Sequence, residues 1–166
     1  MAKKKSKSNL GKIFGVVAAV LGLVAICMIF VDTIKIPDTE IFGKVVEGKG
    51  YSGLDVVFGF KSEDVAVFNF SIIALLPYLL IIAGVVLSVL NCARKGNKVL
   101  DFVTAGLFIV AAVLCFLMPS FVVCSDTLPG KIAAEVDYTL AVGAIVSAIS
   151  SIFAAIVVAA KSIIQK

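Results

Sequence analysis

Four long blocks of apolar residues constrain this chain more than any other feature of its sequence. They run over residues 13–31, 72–90, 99–118 and 139–160. An α-helix rises about 1.5 Å per residue, so each block is long enough to cross the roughly 30 Å hydrocarbon core of a bilayer. Because 61% of the 166 residues are hydrophobic and only 16% are charged, the composition excludes an ordinary soluble domain. The sequence therefore predicts an all-α membrane protein, a bundle of four transmembrane helices.

The charged residues between these blocks predict the orientation of the helices. Ten of the fifteen lysines and arginines lie in the N-terminal tail, in the 91–98 connection and at the C-terminus, and only Asp101 opposes them. The other two connections carry five lysines and ten carboxylates. Because lysine and arginine beside a transmembrane helix favour the cytoplasmic side, we expect both termini in the cytoplasm and the acidic connections outside, in a multi-pass plasma-membrane protein. A net charge of +4 divided in this way does not indicate a nucleic-acid partner.

These two patterns fix the predicted order of segments. Helix 1 is expected to remain as an anchor, since Asp32–Lys35 offers no small-residue cleavage site. The segments are a basic cytoplasmic tail (1–12), helix 1 (13–31), an extracellular loop (32–71), helix 2 (72–90), a cytoplasmic loop (91–98), helix 3 (99–118), a second extracellular loop (119–138), helix 4 (139–160) and a cytoplasmic tail (161–166).

The first extracellular loop has the composition of a folded segment. Runs rich in β-branched and aromatic residues, 41–46 and 51–60, flank the turn-rich tetrad 47–50. This pattern predicts a small extracellular β-hairpin between helices 1 and 2, with one face resting on the helix ends or on lipid headgroups. The glycines of the second run suit a bulge or a close approach. The predicted outer-loop surface consists of Tyr51, Gly53, Leu54, Phe58, Gly59 and Phe60.

Small residues recur along one face of the fourth helix. In lipid there is little hydrophobic force between helices, so their association depends on small side chains that let two backbones approach closely. This pattern predicts a helix-packing face. The predicted helix-packing stripe, at four-residue spacing, consists of Gly143, Ser147, Ser151, Ala155 and Ala159.

The residue types that carry most enzyme chemistry are missing from the chain. It has no histidine, which removes imidazole bases, catalytic triads and imidazole metal sites. The four cysteines are scattered and form no CxxC motif, so the sequence indicates neither a redox centre nor a zinc site. We therefore expect a protein without catalytic residues, bound metal or cofactor, and not an enzyme.

No ionisable residue lies at the centre of any of the four blocks, which argues against an ion or proton relay. Asp101 lies at the start of helix 3, where a carboxylate complements the helix N-terminus. Its expected partners are Arg94, Lys95 or Lys98.

The arrangement resembles two groups of four-helix membrane proteins. The four spans, the long first outer loop and the segment Ser52–Leu54 resemble the claudin-like tetraspan architecture. That group's tryptophan and loop cysteines are absent, so no junction function is implied. The lysine-rich tail, the 51–59 segment, the proline-bearing second span and the 91–98 turn resemble small uncharacterised four-helix proteins of Gram-positive bacteria and mollicutes. This resemblance implies the topology and a bacterial plasma membrane, and no catalytic activity.

Two functions are compatible with these features. The first is a scaffold or accessory subunit that presents its outer loop to a partner, either another membrane protein or a second copy of itself. The second is a small oligomeric channel or transporter whose pore is lined by hydroxyl groups from several copies. The side chains expected to line that pore are Thr104, Ser147, Ser150 and Ser151.

Overall fold

The structure is a computed structural model that describes residues 2–41, 44–46, 48–93 and 97–164. Four of its helices are long and apolar enough to span a membrane, as the sequence predicts. They are α1 (Ala2–Cys27), α3 (Ile72–Ala93), α4 (Lys98–Phe116) and α6 (Val142–Ile164). The apolar part of α1 begins at Leu10 and continues to Phe30 through a short 3₁₀ turn, Met28–Phe30.

The chain divides into two compact units. The first, here called the bundle unit, contains Met1–Ile26, Pro77–Val113 and Ser147–Lys166. The second, the loop unit, contains Cys27–Leu76 and Leu114–Val146.

Small side chains allow the helices of the bundle unit to approach closely. The ring of Phe108 on α4 is fully buried. It lies so near Gly84 that a Cβ atom there would be 3.0 Å from its Cζ atom, and a Cβ atom at Gly22 would overlap Val85. Serine hydroxyls also join helices: Ser88 Oγ donates to the carbonyl oxygen of Gly15 over 3.0 Å. Close backbones and hydroxyl-to-carbonyl bonds are typical of helix packing in membranes.

The loop unit contains all the strands that the structure describes. Its central strand, β1 (Asp32–Lys35), pairs antiparallel with β4 (Gly50–Ser52) and β7 (Thr139–Leu140). Two small hairpins accompany this sheet. They are β2 (Thr39–Ile41) with β3 (Lys44–Val46), and β5 (Lys61–Ser62) with β6 (Val65–Ala66). Two short helices, α2 (Gly53–Phe58) and α5 (Leu128–Ala134), and the 3₁₀ turn Met118–Phe121 complete it.

A small hairpin does lie between the first two long helices, but the predicted second strand over 51–60 is wrong. The strand ends at Ser52, and α2 begins at Gly53. Ser52 and Asp55 form a capping box in which the hydroxyl of Ser52 accepts from the amide of Asp55 and the Asp55 carboxylate accepts from the amide of Ser52. This local signal overrides the β propensity of the valines and phenylalanine that follow it. Residues 42, 43 and 47 of the predicted hairpin lie outside the described residues.

Gly59 ends α2 with a backbone conformation that few other residues adopt. Its φ is +93°, and a Cβ atom there would lie 2.7 Å from the carbonyl oxygen of Phe68. The sequence suggested a bulge or a close approach at Gly59. The structure shows a close approach to the backbone of Phe68, and Gly59 is the C-cap of α2 and not a bulge.

Candidate functional site

Four aromatic rings form the core of the loop unit. Tyr51 from β4 packs edge-on against Phe68, with ring centroids 4.8 Å apart, and against Phe60 at 5.4 Å. Tyr138 completes this aromatic cluster at 5.8 Å from Phe68. Edge-to-face contacts place the positive rim of one ring against the negative face of the next and stabilise such a cluster beyond its burial.

Burial changes the ionisation of the two tyrosines in the aromatic cluster. Loss of hydration raises the pKa of Tyr138, and the charges of Cys124 and Tyr51 raise it further. Desolvation also raises the pKa of Tyr51, and the negative charge of Asp55 adds to that effect. The Tyr138 hydroxyl donates to the carbonyl oxygen of Ala133 over 3.0 Å. Both phenols are thus neutral and fixed in place at physiological pH.

Backbone hydrogen bonds join the two connecting segments into one unit. The amide of Asn69 donates to the carbonyl oxygen of Val123 over 2.8 Å, and the amide of Ser125 donates to that of Val67 over 2.9 Å. The hydroxyls of Ser125 and Thr127 both bind the carbonyl oxygen of Ala66. The residues between α1 and α3 are therefore held to those between α4 and α6 by the main chain itself.

Lys49 places a positive charge on the aromatic cluster. Its Nζ atom lies 4.5 Å from the ring centroid of Phe60 and 5.4 Å from that of Tyr51. Two hydrogen bonds hold the main chain at Lys49 and its neighbour. Ile36 N–H donates to the carbonyl oxygen of Lys49 over 3.0 Å, and Gly48 N–H donates to Asp38 Oδ1 over 2.9 Å. These distances are within the range of cation–π attraction.

The six residues predicted as an outer-loop surface are divided between the interior and the exterior of the loop unit. Tyr51 and Gly53 are buried, whereas Leu54 and Phe60 are partly exposed. Phe58 is 60% exposed and faces Phe70, which is 54% exposed, with ring centroids 6.3 Å apart. The structure thus brings Tyr51 and Phe60 together and leaves Phe58 in a separate exposed pair, here called the phenylalanine pair (Phe58 and Phe70).

The residues of the predicted helix-packing stripe lie in both units and are mostly buried. In the loop unit, a Cβ atom on Gly143 would be 2.8 Å from the carbonyl oxygens of Val31 and Asp32. In the bundle unit, the hydroxyl of Ser147 donates to the carbonyl oxygen of Ala25 over 3.0 Å. Ser151 and Ala155 are also buried there, and Ala159 is partly exposed.

A buried ion pair lies in the bundle unit. Lys161 Nζ on α6 is 2.8 Å from Asp101 Oδ1 on α4, and both side chains are 1% exposed. The Nδ2 atom of Asn91 on α3 donates to the same carboxylate oxygen over 2.6 Å. Asp101 Oδ2 is buried and has no hydrogen-bond partner among the described residues. Three long helices therefore meet at one polar cluster (Asn91, Asp101 and Lys161).

This polar cluster corrects the expected surroundings of Asp101. Of its three expected partners, Lys98 is exposed, and Arg94 and Lys95 lie outside the described residues. The predicted end of helix 4 at residue 160 excluded Lys161, but α6 continues to Ile164. The signal that could have found it is helical spacing, since Lys161 follows buried Ala154 and Val158 by seven and three residues.

Comparisons of the chain with protein-family models, with curated proteins and with solved structures give no match. Any assignment of function must therefore come from the geometry of the two units. Among the described residues, no three histidine, cysteine, aspartate or glutamate side chains are grouped so as to hold a metal ion.

Proposed function

We propose that this chain is a plasma-membrane protein with both termini in the cytoplasm, and that it acts as a non-enzymatic scaffold or accessory subunit. In this proposal the loop unit lies outside the cell and binds a second membrane protein. The supporting observation is that the two connecting segments fold into one unit with its own aromatic core, joined by strands β1 and β7 and by the Asn69 and Ser125 amides. A pair of loops that merely linked helices would not need such a core.

The phenylalanine pair supplies the apolar contact that a partner would cover. Both rings are more than half exposed, although Phe60 and Phe68, which are close by in sequence, are packed in the aromatic cluster. Aromatic side chains are enriched at the centres of protein interfaces, where they bury large areas with little loss of conformational freedom. The loop unit carries ten carboxylates and five lysines, and this net negative charge favours a partner with a basic rim.

Site-specific photocrosslinking tests this proposal. A photoreactive phenylalanine analogue at Phe58 or at Phe70 is expected to give one discrete protein adduct in membranes of cells that express the chain naturally. The same analogue at Asp137, an exposed residue of the loop unit, is the matched control and is expected to give none. An adduct of twice the chain's mass would identify self-association as the partnership. Lipid adducts alone at both phenylalanines would refute the proposal.

The alternative function is a small oligomeric channel or transporter. The polar cluster favours it, because ionisable residues within membrane-spanning helices commonly mark ion or proton pathways. The burial of the hydroxyls expected to line a pore argues against a channel. Those of Thr104, Ser147, Ser150 and Ser151 are all buried within one copy of the chain. Flux of ions or solutes into liposomes that contain the purified protein is the test. Robust selective flux that is lost both in Asp101→Asn and in the double variant with Lys161→Met, which removes the unpaired buried charge, would favour transport over the scaffold.

A further inference from the structure

The contact of Lys49 with the aromatic cluster has the geometry of a cation-binding site. The rings of Tyr51 and Phe60 are inclined at 68° to each other, so they form two adjoining walls. One positive charge lies within range of both walls, at 5.4 Å and 4.5 Å from the two ring centroids. The negative faces of aromatic rings attract cations at such distances.

The walls are rigid because other residues hold them. Tyr51 is only 7% exposed and packs on Phe68, which is itself 2% exposed. Phe60 is fixed between Tyr51 and Phe68, and its amide and carbonyl groups bond to the backbone of Val67 and Phe68. A site with preformed walls loses little conformational entropy when a ligand binds.

Nearby carboxylates add to the attraction for a positive charge. Asp32 lies against Gly50, which separates Lys49 from Tyr51 in the chain. Asp55 is close enough for its charge to raise the pKa of the Tyr51 phenol. In the described part of the chain no carboxylate is within 4.0 Å of Lys49 Nζ, so the ammonium faces the rings without a direct ion-pair partner.

The two ring faces offer a bound cation no hydrogen-bond acceptor, and this favours one type of cation. A lysine ammonium has three N–H donors. Within the described residues, none of them reaches a protein acceptor at this site. A quaternary ammonium group has no N–H donor, so it gives up no hydrogen bond when it moves from water onto the ring faces.

We propose that Tyr51 and Phe60 form two walls of a binding site for a quaternary ammonium group, and that Lys49 is the internal cation that occupies it. Lys49 is exposed, so its side chain can move into solvent and open the site. The ligand is a trimethylammonium compound, either a free choline-type solute or the headgroup of a phosphatidylcholine lipid. This site goes beyond the protein partner proposed above, and it stands whether or not the phenylalanine pair binds a partner.

Equilibrium binding of radiolabelled choline to the full chain in phosphatidylethanolamine nanodiscs tests the site. Lys49→Met removes the internal competitor and is expected to tighten choline binding about three- to fivefold over the original protein. Phe60→Leu in the Lys49→Met background removes one wall and is expected to weaken binding about tenfold. Phe30→Leu, which removes an exposed phenylalanine outside both this site and the phenylalanine pair, is the control and should leave choline binding unchanged.

A conservative variant separates loss of the ring face from loss of folding. Phe60→Tyr in the Lys49→Met background keeps the ring and is expected to keep choline binding, with competition by tetramethylammonium and little competition by ammonium. Failure of Lys49→Met to bind choline saturably would overturn the site. Equal binding by the Phe60→Leu and Phe60→Tyr variants would overturn it too, whether both bind or neither does.

The composition of the nanodisc distinguishes the two sources of the ligand. If lipid headgroups reach the site, replacing phosphatidylethanolamine with phosphatidylcholine, which has the same net charge, will lower the choline binding of Lys49→Met by competition. If the site takes a free solute, binding will be the same in both lipids. Both results support a quaternary ammonium site and differ only in where its ligand comes from.

Discussion

The bundle unit and the loop unit differ in the side chains that predominate in their interiors. The interior of the bundle unit is made largely of alanine, glycine and serine, while large apolar residues such as Val16, Ile82 and Val110 are exposed. The interior of the loop unit also contains alanine and glycine, but aromatic residues such as Tyr51 and Phe68 form its centre. Burial of small side chains with large apolar ones outside is the pattern expected of helices in surroundings as apolar as their side chains.

Polar groups are satisfied differently in the two units as well. In the bundle unit, hydroxyls such as those of Ser88 and Ser147 bond to carbonyl oxygens of another helix, and the polar cluster brings an ion pair inside. In the loop unit, the hydroxyls of Ser125 and Thr127 also bind a carbonyl oxygen, but short strands and caps satisfy most of the backbone, as in the Ser52–Asp55 capping box. The following predictions test this contrast, from the largest expected effect to the smallest.

The largest effect is expected at the ion pair. Asp101→Asn leaves the ammonium of Lys161 buried without its counter-charge, which should lower the free energy of unfolding by about 3–5 kcal/mol. Adding Lys161→Met to Asp101→Asn removes that charge and should recover most of the loss. Lys98→Met, at an exposed lysine one turn away, is the control. Unfolding in mixed micelles gives the stability of the original protein and of the three variants. Equal stabilities of Asp101→Asn and the double variant would show that the charge of Lys161 is not buried.

A smaller effect is expected where small side chains permit close packing. Ser147→Leu or Ser151→Leu adds bulk at fully buried positions and should cost about 1–3 kcal/mol. Ile149→Leu, at a residue that is 44% exposed, should change little. The midpoint of thermal unfolding in detergent compares the three variants. Equal, small shifts at all three positions would mean that the stripe does not pack against another helix.

The capping box at the start of α2 should stabilise that helix and leave the bundle unit unaffected. Ser52→Ala removes the side chain that accepts from the Asp55 amide and should cost about 1 kcal/mol. Ser62→Ala, at an exposed serine of β5, is the matched control. Hydrogen exchange should show faster exchange in α2 and unchanged exchange in α4. Equal acceleration in both helices would contradict the separate stability of the two units.

The smallest effect is expected from alkaline titration, because the two phenols begin to destabilise the folded state only when the pH rises above about 10. The pKa values of Tyr51 and Tyr138 are raised above the ordinary value of about 10 by burial. Stability from this source is therefore full below about pH 10 and is lost as the pH rises through the folded-state pKa values.

Phenolate absorbance between pH 7 and pH 12 in a Tyr78→Phe background would follow Tyr51 and Tyr138 alone. Both are expected to titrate late and together with unfolding of the loop unit. Titration of both near pH 10 in the folded protein would contradict the buried aromatic cluster.

The sequence predicted the four long helices well because each block is apolar over its whole length, and no tertiary contact is needed to see that. It failed over 51–60 because the capping residues Ser52 and Asp55 outweigh the β propensity of the residues after them. The pairing of β1 with β7 joins residues about a hundred positions apart, and only folding brings them together. Lys161 was misplaced because a charged residue at the end of an apolar block resembles a tail until its partner on another helix is known.

Cysteine accessibility in intact cells is the most direct test of the central claim, that the folded loop unit faces the outside of the cell. In a background without the four native cysteines, Lys61→Cys on β5 and Lys98→Cys at the start of α4 would each carry one exposed thiol. A membrane-impermeant maleimide is expected to label Lys61→Cys in intact cells and Lys98→Cys only after permeabilisation. Labelling of Lys98→Cys in intact cells, with Lys61→Cys protected until permeabilisation, would contradict the proposed orientation and the outward role of the loop unit.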